Sequence, residues 1–168
     1  MSTEFASWVA PAARRFQSTR QEIVQVAREV PDDAWQLASP VAGWTFRDVL
    51  AHLAVGYLFC DMVVRAVLDD SDHDLRPQSA KREERIATSL ARGAALTTEE
   101  LIAKVLREGE ETLELLSRVG ESDENTPVIT SRTMPDAMGL GVFLSGYHHD
   151  EEHLEHLRPA LARTSLAR

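Results

Sequence analysis

The chain has 168 residues, of which 43% are hydrophobic and 27% are charged, a composition that predicts one globular domain over residues 1–168 with a sizeable core. Its formal net charge of −9 argues against the basic surface with which nucleic-acid-binding proteins neutralise phosphates. The single cysteine, Cys60, cannot form an internal disulfide, the N-terminus lacks the basic region of a secretion signal, and no apolar run approaches the ~18 residues of a membrane span. We therefore expect a cytoplasmic protein with neither a membrane nor a nucleic acid as partner.

The first half of the chain shows the patterns of two long helices. Apolar residues recur every three or four positions over residues 5–30, which predicts an amphipathic helix that Pro31 ends. Thr45 and Asp48 stand in the spacing of a capping box immediately before an apolar run. This pattern predicts a second helix over about 46–68.

The second half predicts two more helices joined by polar loops. Residues 69–82 are polar and predict a loop with room for a short helix on its far side, and the whole 69–96 connection is long enough to cross over a bundle. A capping-box pattern opens a third helix over about 97–119, a polar loop follows over 120–133, and a third such pattern opens a last helix over about 135–163. No strand is required, and the predicted fold class is an all-α four-helix bundle.

Four of the six histidines lie in one short stretch of the predicted last helix. His149 and His153 are four residues apart, which places both imidazoles on one helix face, where they can chelate one divalent ion. His156 lies near the same line one turn further on, whereas His148 points away and is expected to be exposed. An acidic, solvated helix face with incidental histidines explains the pair equally well.

A third candidate ligand, His52, lies alone in the apolar run of the second helix. By itself such a histidine is more often a core residue satisfied by one hydrogen bond. A bundle brings helices 2 and 4 together, however, so His52 reinforces the His149 and His153 pair and predicts a three-histidine site with open coordination positions. Asp48, one turn before His52, either orients its ring or, more simply, serves the capping box with Thr45.

Three further residues have simpler explanations. Cys60 is two turns past His52 but well round the helix, so we expect a small buried apolar side chain, with a lesser chance that it reaches the metal. His73 lies in a predicted loop and is expected to be exposed to solvent. Asp150 is expected at the surface of the last helix.

Two motifs resemble one family. The sequence Gly-Trp-Thr-x-Arg-Asp-x-Leu-Ala-His-Leu at 43–53, followed about a hundred residues later by His-Asp-x-x-His-Leu at 149–154, resembles the DinB-like (YfiT-like) metalloenzyme superfamily. The resemblance extends to residues 30–35 and 96–101 and so covers nearly the whole chain. It implies a bacterial four-helix bundle that is usually a homodimer.

The resemblance also implies a metal and a cofactor. One divalent ion, which is zinc, nickel, iron or manganese in different members, would be held by His52, His149 and His153. Several members are transferases that use a low-molecular-weight thiol, and the mycothiol-dependent maleylpyruvate isomerase is related through its N-terminal domain. His156 stands where many relatives have a polar non-ligand, so a pairing of His153 with His156 stays open as an alternative.

Two departures separate this chain from the isomerase type. That type carries a second domain after the bundle, whereas this sequence stops soon after the last predicted helix. Many of its members have a cysteine just before the Gly-Trp pair, where this chain has Pro40, Val41 and Ala42. We therefore expect a single-domain, YfiT-like member whose substrate is not maleylpyruvate.

These features predict a metal-dependent thiol transferase, or a hydrolase, that acts on a small electrophilic molecule. A cation on three imidazoles lowers the pKa of a bound thiol or water and so produces a nucleophile at neutral pH. Arg47, Tyr57, Phe59 and Tyr147 are candidates for the rim of the substrate pocket, although aromatic residues at helical spacing are more often core. Two alternatives stay open: a non-catalytic protein that sequesters a small molecule, with the metal vestigial or structural, and a dimeric interaction module that binds metal only during purification.

Overall fold

The computed structural model describes residues 4–55, 59–131 and 136–162. Within these ranges the chain is almost wholly helical, which confirms the all-α class. The helices are α1 (Ala10–Glu29), α2 (Phe46–Val55), α3 (Phe59–Leu68), α4 (Arg76–Ala80), α5 (Arg82–Ala94), α6 (Thr98–Ser117), α7 (Leu140–Gly146), α8 (His149–Leu157) and α9 (Pro159–Ala162). Two short antiparallel strands, β1 (Pro127–Val128) and β2 (Met138–Gly139), pair with Pro127 opposite Gly139.

The first helix begins later than the apolar pattern predicts. α1 starts at Ala10 and not at Phe5. Pro11 explains the difference, because a proline has no N–H for the bond that a helix begun at Phe5 would need there, whereas it is tolerated in a first turn. Ser7 instead directs its main-chain N–H and its hydroxyl to the carboxylate of Glu121, at 2.5 and 3.0 Å.

The predicted capping box at the start of the second helix is present. The main-chain N–H and the hydroxyl of Thr45 donate to Asp48 Oδ2 at 2.8 and 2.7 Å, and the Asp48 N–H donates to Thr45 Oγ1 at 3.1 Å. These bonds satisfy N–H groups that a helix start otherwise leaves without partners, so α2 begins at Phe46 as expected. The third helix, α6, also matches its predicted range.

The connection between the second and third long helices is more helical than predicted. Besides the short α4 it contains α5, which has 13 residues. Near the end of α5, a Cβ on Gly93 would lie 2.4 Å from the Cβ of Ala51, so only a glycine lets α5 approach α2 this closely. The end of α5 thus packs against the helix that carries His52.

The prediction of one last helix over 135–163 is wrong. Tyr147 has an extended backbone, with φ −85° and ψ 108°, and it separates α7 from α8. Pro159 opens α9, because it cannot donate the N–H that would continue α8. The capping-box pattern expected near residue 133 lies partly outside the described residues. The break at Tyr147 places His149 at the first position of α8.

The described residues form two compact units, each with its own apolar core. The first comprises residues of Met1–Arg15, Tyr57–Arg85 and Glu110–Tyr147, and the second comprises residues of Phe16–Gly56, Ile86–Gly109 and His148–Arg168. Fully buried side chains of the first core include Val9, Val63, Val64 and Leu140, and those of the second include Ile23, Phe46, Leu50, Leu101 and Leu157. The single domain over 1–168 and the four-helix bundle stay predictions.

The stretch Phe46–Leu68, which contains α2 and α3, has the length and apolar composition of a membrane-crossing helix, which the sequence analysis did not expect. It runs across residues 56–58, which the structure does not describe. Because 60% of its most apolar window is buried inside the protein, as in the core helix of a soluble protein, the stretch is weak evidence for a membrane span.

Candidate metal centre

Three histidines from two helices of the second unit converge on one point. His52 comes from the last turn of α2, and His149 and His153 come from successive turns of α8. One ring nitrogen of each lies within 4.8 Å of the others, and His52 Nε2 is 3.0 Å from His149 Nε2. The structure therefore brings together all three residues that the sequence proposes as ligands.

Neighbouring groups determine where two of these rings carry their protons. The Ser89 hydroxyl donates to the Ile86 carbonyl at 2.8 Å, so its oxygen can accept from His52 Nδ1, which lies 3.5 Å away. His149 Nδ1 faces the Asp150 carboxylate at 3.1 Å. Because an acceptor faces each Nδ1, we assign the proton of both neutral rings to that nitrogen.

This assignment turns two lone pairs toward each other across a short gap. The Nε2 atoms of His52 and His149 are both acceptors in these tautomers, and at 3.0 Å two acceptors repel unless a cation or a proton lies between them. Two nitrogens that share a tetrahedral zinc at ordinary bond lengths lie ~3.3 Å apart. The donor set therefore fits a divalent transition metal.

His153 is the most buried of the three rings, at 8% exposure. Burial, together with the neighbouring imidazoles of His149, His52 and His156, lowers the pKa of His153 from 6.5 to about 3. The ring is therefore neutral at physiological pH, which is the form that binds metals. The half-buried His156 approaches from the other side, with its Nδ1 3.4 Å from His153 Nδ1, so the alternative pairing of these two residues also stays open.

An aromatic residue that the sequence analysis did not single out covers part of the site. Trp44 stacks parallel to His153 at 6.1 Å between ring centroids and meets His52 edge-on at 5.2 Å. Gly43, with φ +79°, allows the turn in which the Trp44 N–H donates to the Val41 carbonyl at 3.0 Å. The signal was the Gly-Trp pair directly before a capping box, which puts a large ring at the start of the helix that carries His52.

The expectation that Asp150 lies at the surface is wrong. Asp150 is 2% exposed and forms a salt bridge at 2.5 Å with Arg20, which is 3% exposed. Burial by itself raises the pKa of Asp150, but the Arg20 guanidinium and His149 outweigh it, so the pKa is lowered and the carboxylate stays ionised. Asp150 precedes the buried Leu154 and Leu157 by four and seven residues, a spacing that could have indicated an inward position.

The remaining pocket candidates have other neighbours. Arg47 donates to the main-chain carbonyls of Gly93, at 3.4 Å, and Leu96, which ties the start of α2 to the end of α5. Tyr147 and Phe59 belong to the first unit, where both rings pack against Phe143. Tyr57 lies outside the described residues. The substrate pocket that these residues would line stays a prediction.

Of the other expectations from the sequence, some are confirmed and one is wrong. Cys60 is buried in the core of the first unit and His148 is exposed, as predicted. His73 is half-buried and not exposed to solvent, and its Nε2 has no hydrogen-bond partner among the described residues. Asp48 belongs to the capping box, and the oxygen near the His52 ring is that of Ser89.

Comparison with known proteins identifies the family of the chain. Residues 16–146, well over half of the chain, match the family model of the mycothiol maleylpyruvate isomerase N-terminal domain. The matched span contains His52 and ends before His149 and His153, so the family match does not cover those two candidate ligands. No curated protein and no solved structure matches the chain. The chain belongs to the mycothiol maleylpyruvate isomerase N-terminal domain family, within the DinB/YfiT-like superfamily.

Proposed function

We propose that the protein binds one divalent transition metal through His52, His149 and His153 and works as a thiol transferase, or a hydrolase, on a small electrophilic molecule. The observation that carries the proposal is the convergence of three ring nitrogens within 4.8 Å. Membership of a family named for a mycothiol enzyme supports a low-molecular-weight thiol such as mycothiol as the second reactant. Zinc, nickel, iron and manganese are the candidate metals.

The chain's own residues would hold the ion and control access to it. Three neutral imidazoles satisfy part of a transition metal's coordination and leave positions for an exogenous ligand. When bound, such an ion lowers the pKa of a thiol or water and so supplies a nucleophile at neutral pH. Trp44 covers the His52 and His153 side with an apolar ring, whereas the His149 side chain is 25% exposed, so a small molecule can enter beside His149.

The charge of the chain supports a small substrate and not a nucleic acid. A net charge of −9 repels phosphate backbones, and the histidine site supplies no basic patch to offset it. The homodimer and the cytoplasmic location belong to the same proposal; the dimer rests on the family resemblance and the location on the lone cysteine.

The first test is elemental analysis by mass spectrometry on untagged, desalted protein. We expect about one equivalent of a transition metal in the wild type and none in the triple variant His52→Ala, His149→Ala, His153→Ala. His148→Ala is the matched control, because that exposed histidine lies beside the site and is predicted to leave the metal content unchanged. Equal metal in the wild type and the triple variant, or none in either, would refute the site.

Turnover then separates an enzyme from a sequestering protein. The metal-loaded protein is mixed with excess thiol and a panel of small electrophiles, and conjugates are counted per protein molecule. We expect many equivalents of product, lost in the triple variant. Protection that stops at one equivalent would support the non-catalytic binding protein instead.

A further inference from the structure

We propose that Arg20 and Asp150 are the positioning residues of the metal centre: Asp150 holds His149 in the tautomer that binds metal, and Arg20 holds the two ligand-bearing helices at the required spacing. The inference rests on the proposed metal-binding function. It concerns two residues to which neither the family match nor the sequence motifs assign a role.

The first part of the argument is the chain of contacts that ends on His149. Arg20, on α1, donates from Nε to Asp150 Oδ2 at 2.5 Å, and its Nη2 lies 3.5 Å from Oδ1. Asp150 Oδ1 faces His149 Nδ1 at 3.1 Å. Oδ2 thus serves the arginine, and Oδ1 serves the imidazole with a longer contact to the arginine, which fixes the plane of the carboxylate and the direction of the ring.

The second part is that the same guanidinium reaches the other ligand helix. Arg20 Nη1 donates to the main-chain carbonyls of Leu53, on α2, and Val105, on α6, both at 3.2 Å. Leu53 is the residue after His52, and Asp150 is the residue after His149. Arg20 therefore bonds to the immediate neighbour of one ligand on each helix, and it links the α2 main chain to the Asp150 side chain of α8.

The third part is that the buried salt bridge between Arg20 and Asp150 adds little to the stability of the fold. Both partners are almost fully buried, and taking two charges out of water consumes most of what their attraction returns. Apolar residues of similar volume would stabilise the core at least as well. The Phe16 ring lies 5.1 Å from the guanidinium carbon and helps to accommodate the charge. The orientation of His149 gives the pair a role that packing alone does not require.

The decisive variant is Asp150→Asn, which keeps the shape and removes the charge. Arg20 is a donor only, so the amide oxygen of the asparagine must face Arg20 and its NH2 group must face His149. His149 Nδ1 then has to accept, which moves the ring proton to Nε2, the atom proposed to bind the ion. We expect the affinity for Zn²⁺, measured by competition with a chromophoric chelator, to fall 10- to 100-fold.

Arg20→Lys tests the second role, because a single ammonium cannot reproduce the fork that joins Asp150 to both carbonyls. We expect weaker Zn²⁺ binding and a changed visible absorption spectrum of the Co²⁺-loaded protein. The control is Glu22→Gln, which breaks the exposed salt bridge between Glu22 and Arg158, also running from α1 to the end of α8. That variant is expected to keep the wild-type affinity and spectrum.

A further test uses the wild-type protein and so does not depend on whether a variant folds. Long-range ¹H–¹⁵N correlation spectra of the metal-free protein at pH 8 report which ring nitrogen of His149 carries the proton. We expect protonated Nδ1 and unprotonated Nε2. Protonated Nε2 in the wild type, or wild-type Zn²⁺ affinity and Co²⁺ spectrum in both Asp150→Asn and Arg20→Lys, would overturn the inference.

The outcomes also separate this inference from the proposed function. A wild type that binds Zn²⁺ through its histidines, with variants that bind equally well, refutes only the positioning roles. A wild type that binds none of Zn²⁺, Ni²⁺, Fe²⁺ and Mn²⁺ refutes both. Variants that unfold more easily when metal-free but bind Zn²⁺ normally while folded show a purely structural salt bridge and count against the inference.

Discussion

The two compact units bury very different kinds of side chain. Among the described residues, five of the six buried polar or charged residues belong to the second unit and only Thr112 belongs to the first. The five in the second unit are Thr19, Arg20, Ser89, Asp150 and His153. The first unit has a core of aliphatic and aromatic side chains, and Thr112 is satisfied by Asp61 at 3.0 Å.

The contrast between the two cores distinguishes residues that serve stability from residues that serve the histidine site. Burying a polar group costs free energy unless it is fully hydrogen-bonded, so a core whose residues serve only stability contains few polar groups. The second unit buries several, and three of them, Ser89, Asp150 and His153, contact or belong to the histidine cluster. The second unit is therefore the one in which changes should affect stability and metal binding together.

The largest expected effect follows from removing one partner of the buried salt bridge in the second unit. Arg20→Ala leaves the Asp150 carboxylate buried without its counter-charge, and such changes cost ~3–5 kcal/mol of unfolding free energy. In the first unit, Thr112→Val removes a hydrogen bond to the Asp61 carboxylate and is expected to cost less, ~1.5–3 kcal/mol. Urea denaturation of both variants measures the difference, and equal losses would contradict the contrast between the units.

Metal removal should act on the second unit alone. A ligand at 100 times its dissociation constant stabilises the folded state by ~2.7 kcal/mol, so chelation is expected to lower the melting temperature of the wild type. His153→Ala should melt at one temperature with or without chelator, whereas the exposed His148→Ala should keep the wild-type response. Calorimetry of matched samples tests this, and a chelator effect that persists in His153→Ala would place the ion elsewhere.

Adding a methyl group at a glycine of each unit is expected to have a smaller effect on stability. In the second unit, Gly93→Ala places a Cβ 2.4 Å from that of Ala51, next to His52, so we expect a loss of ~1–3 kcal/mol and weaker Zn²⁺ binding. In the first unit, a Cβ on Gly146 has nothing within 4 Å, so Gly146→Ala should change stability little. Denaturant unfolding and Zn²⁺ titration check both; an unaffected Gly93→Ala would contradict the close approach of α5 and α2.

The smallest expected effect tests which role Asp48 has. Thr45→Ala removes the capping partner of Asp48 and should cost ~0.5–2 kcal/mol, as the loss of a helix cap does. If Asp48 serves only the cap, Zn²⁺ affinity should be unchanged in Thr45→Ala and in Asp48→Asn. A loss of affinity in Asp48→Asn at unchanged fold would instead support its role as an orienting residue for His52.

Local patterns predicted the elements they govern directly. The Thr45 and Asp48 box gives the start of α2 at the predicted residue because its bonds join groups only three positions apart. Pro11 and Pro159 also act locally, and the predictions for the start of α1 and the end of α8 were wrong because they followed the apolar periodicity across these prolines. The signal for the extended backbone at Tyr147 was weaker: Gly146 directly before it can end a helix, but a single glycine inside a helical pattern is often tolerated.

The sequence by itself determined the all-α class, the capped start of α2 and the pairing of His149 with His153, because helical periodicity and histidine spacing are properties of neighbouring residues, and the motif around His52 supplied the third candidate ligand. Only the tertiary structure decided what surrounds those ligands. Arg20 and Asp150 are 130 positions apart, and Ser89 lies in a connection predicted to be mostly loop. Which donor meets which acceptor across such distances depends on how the helices pack, and no local pattern encodes it.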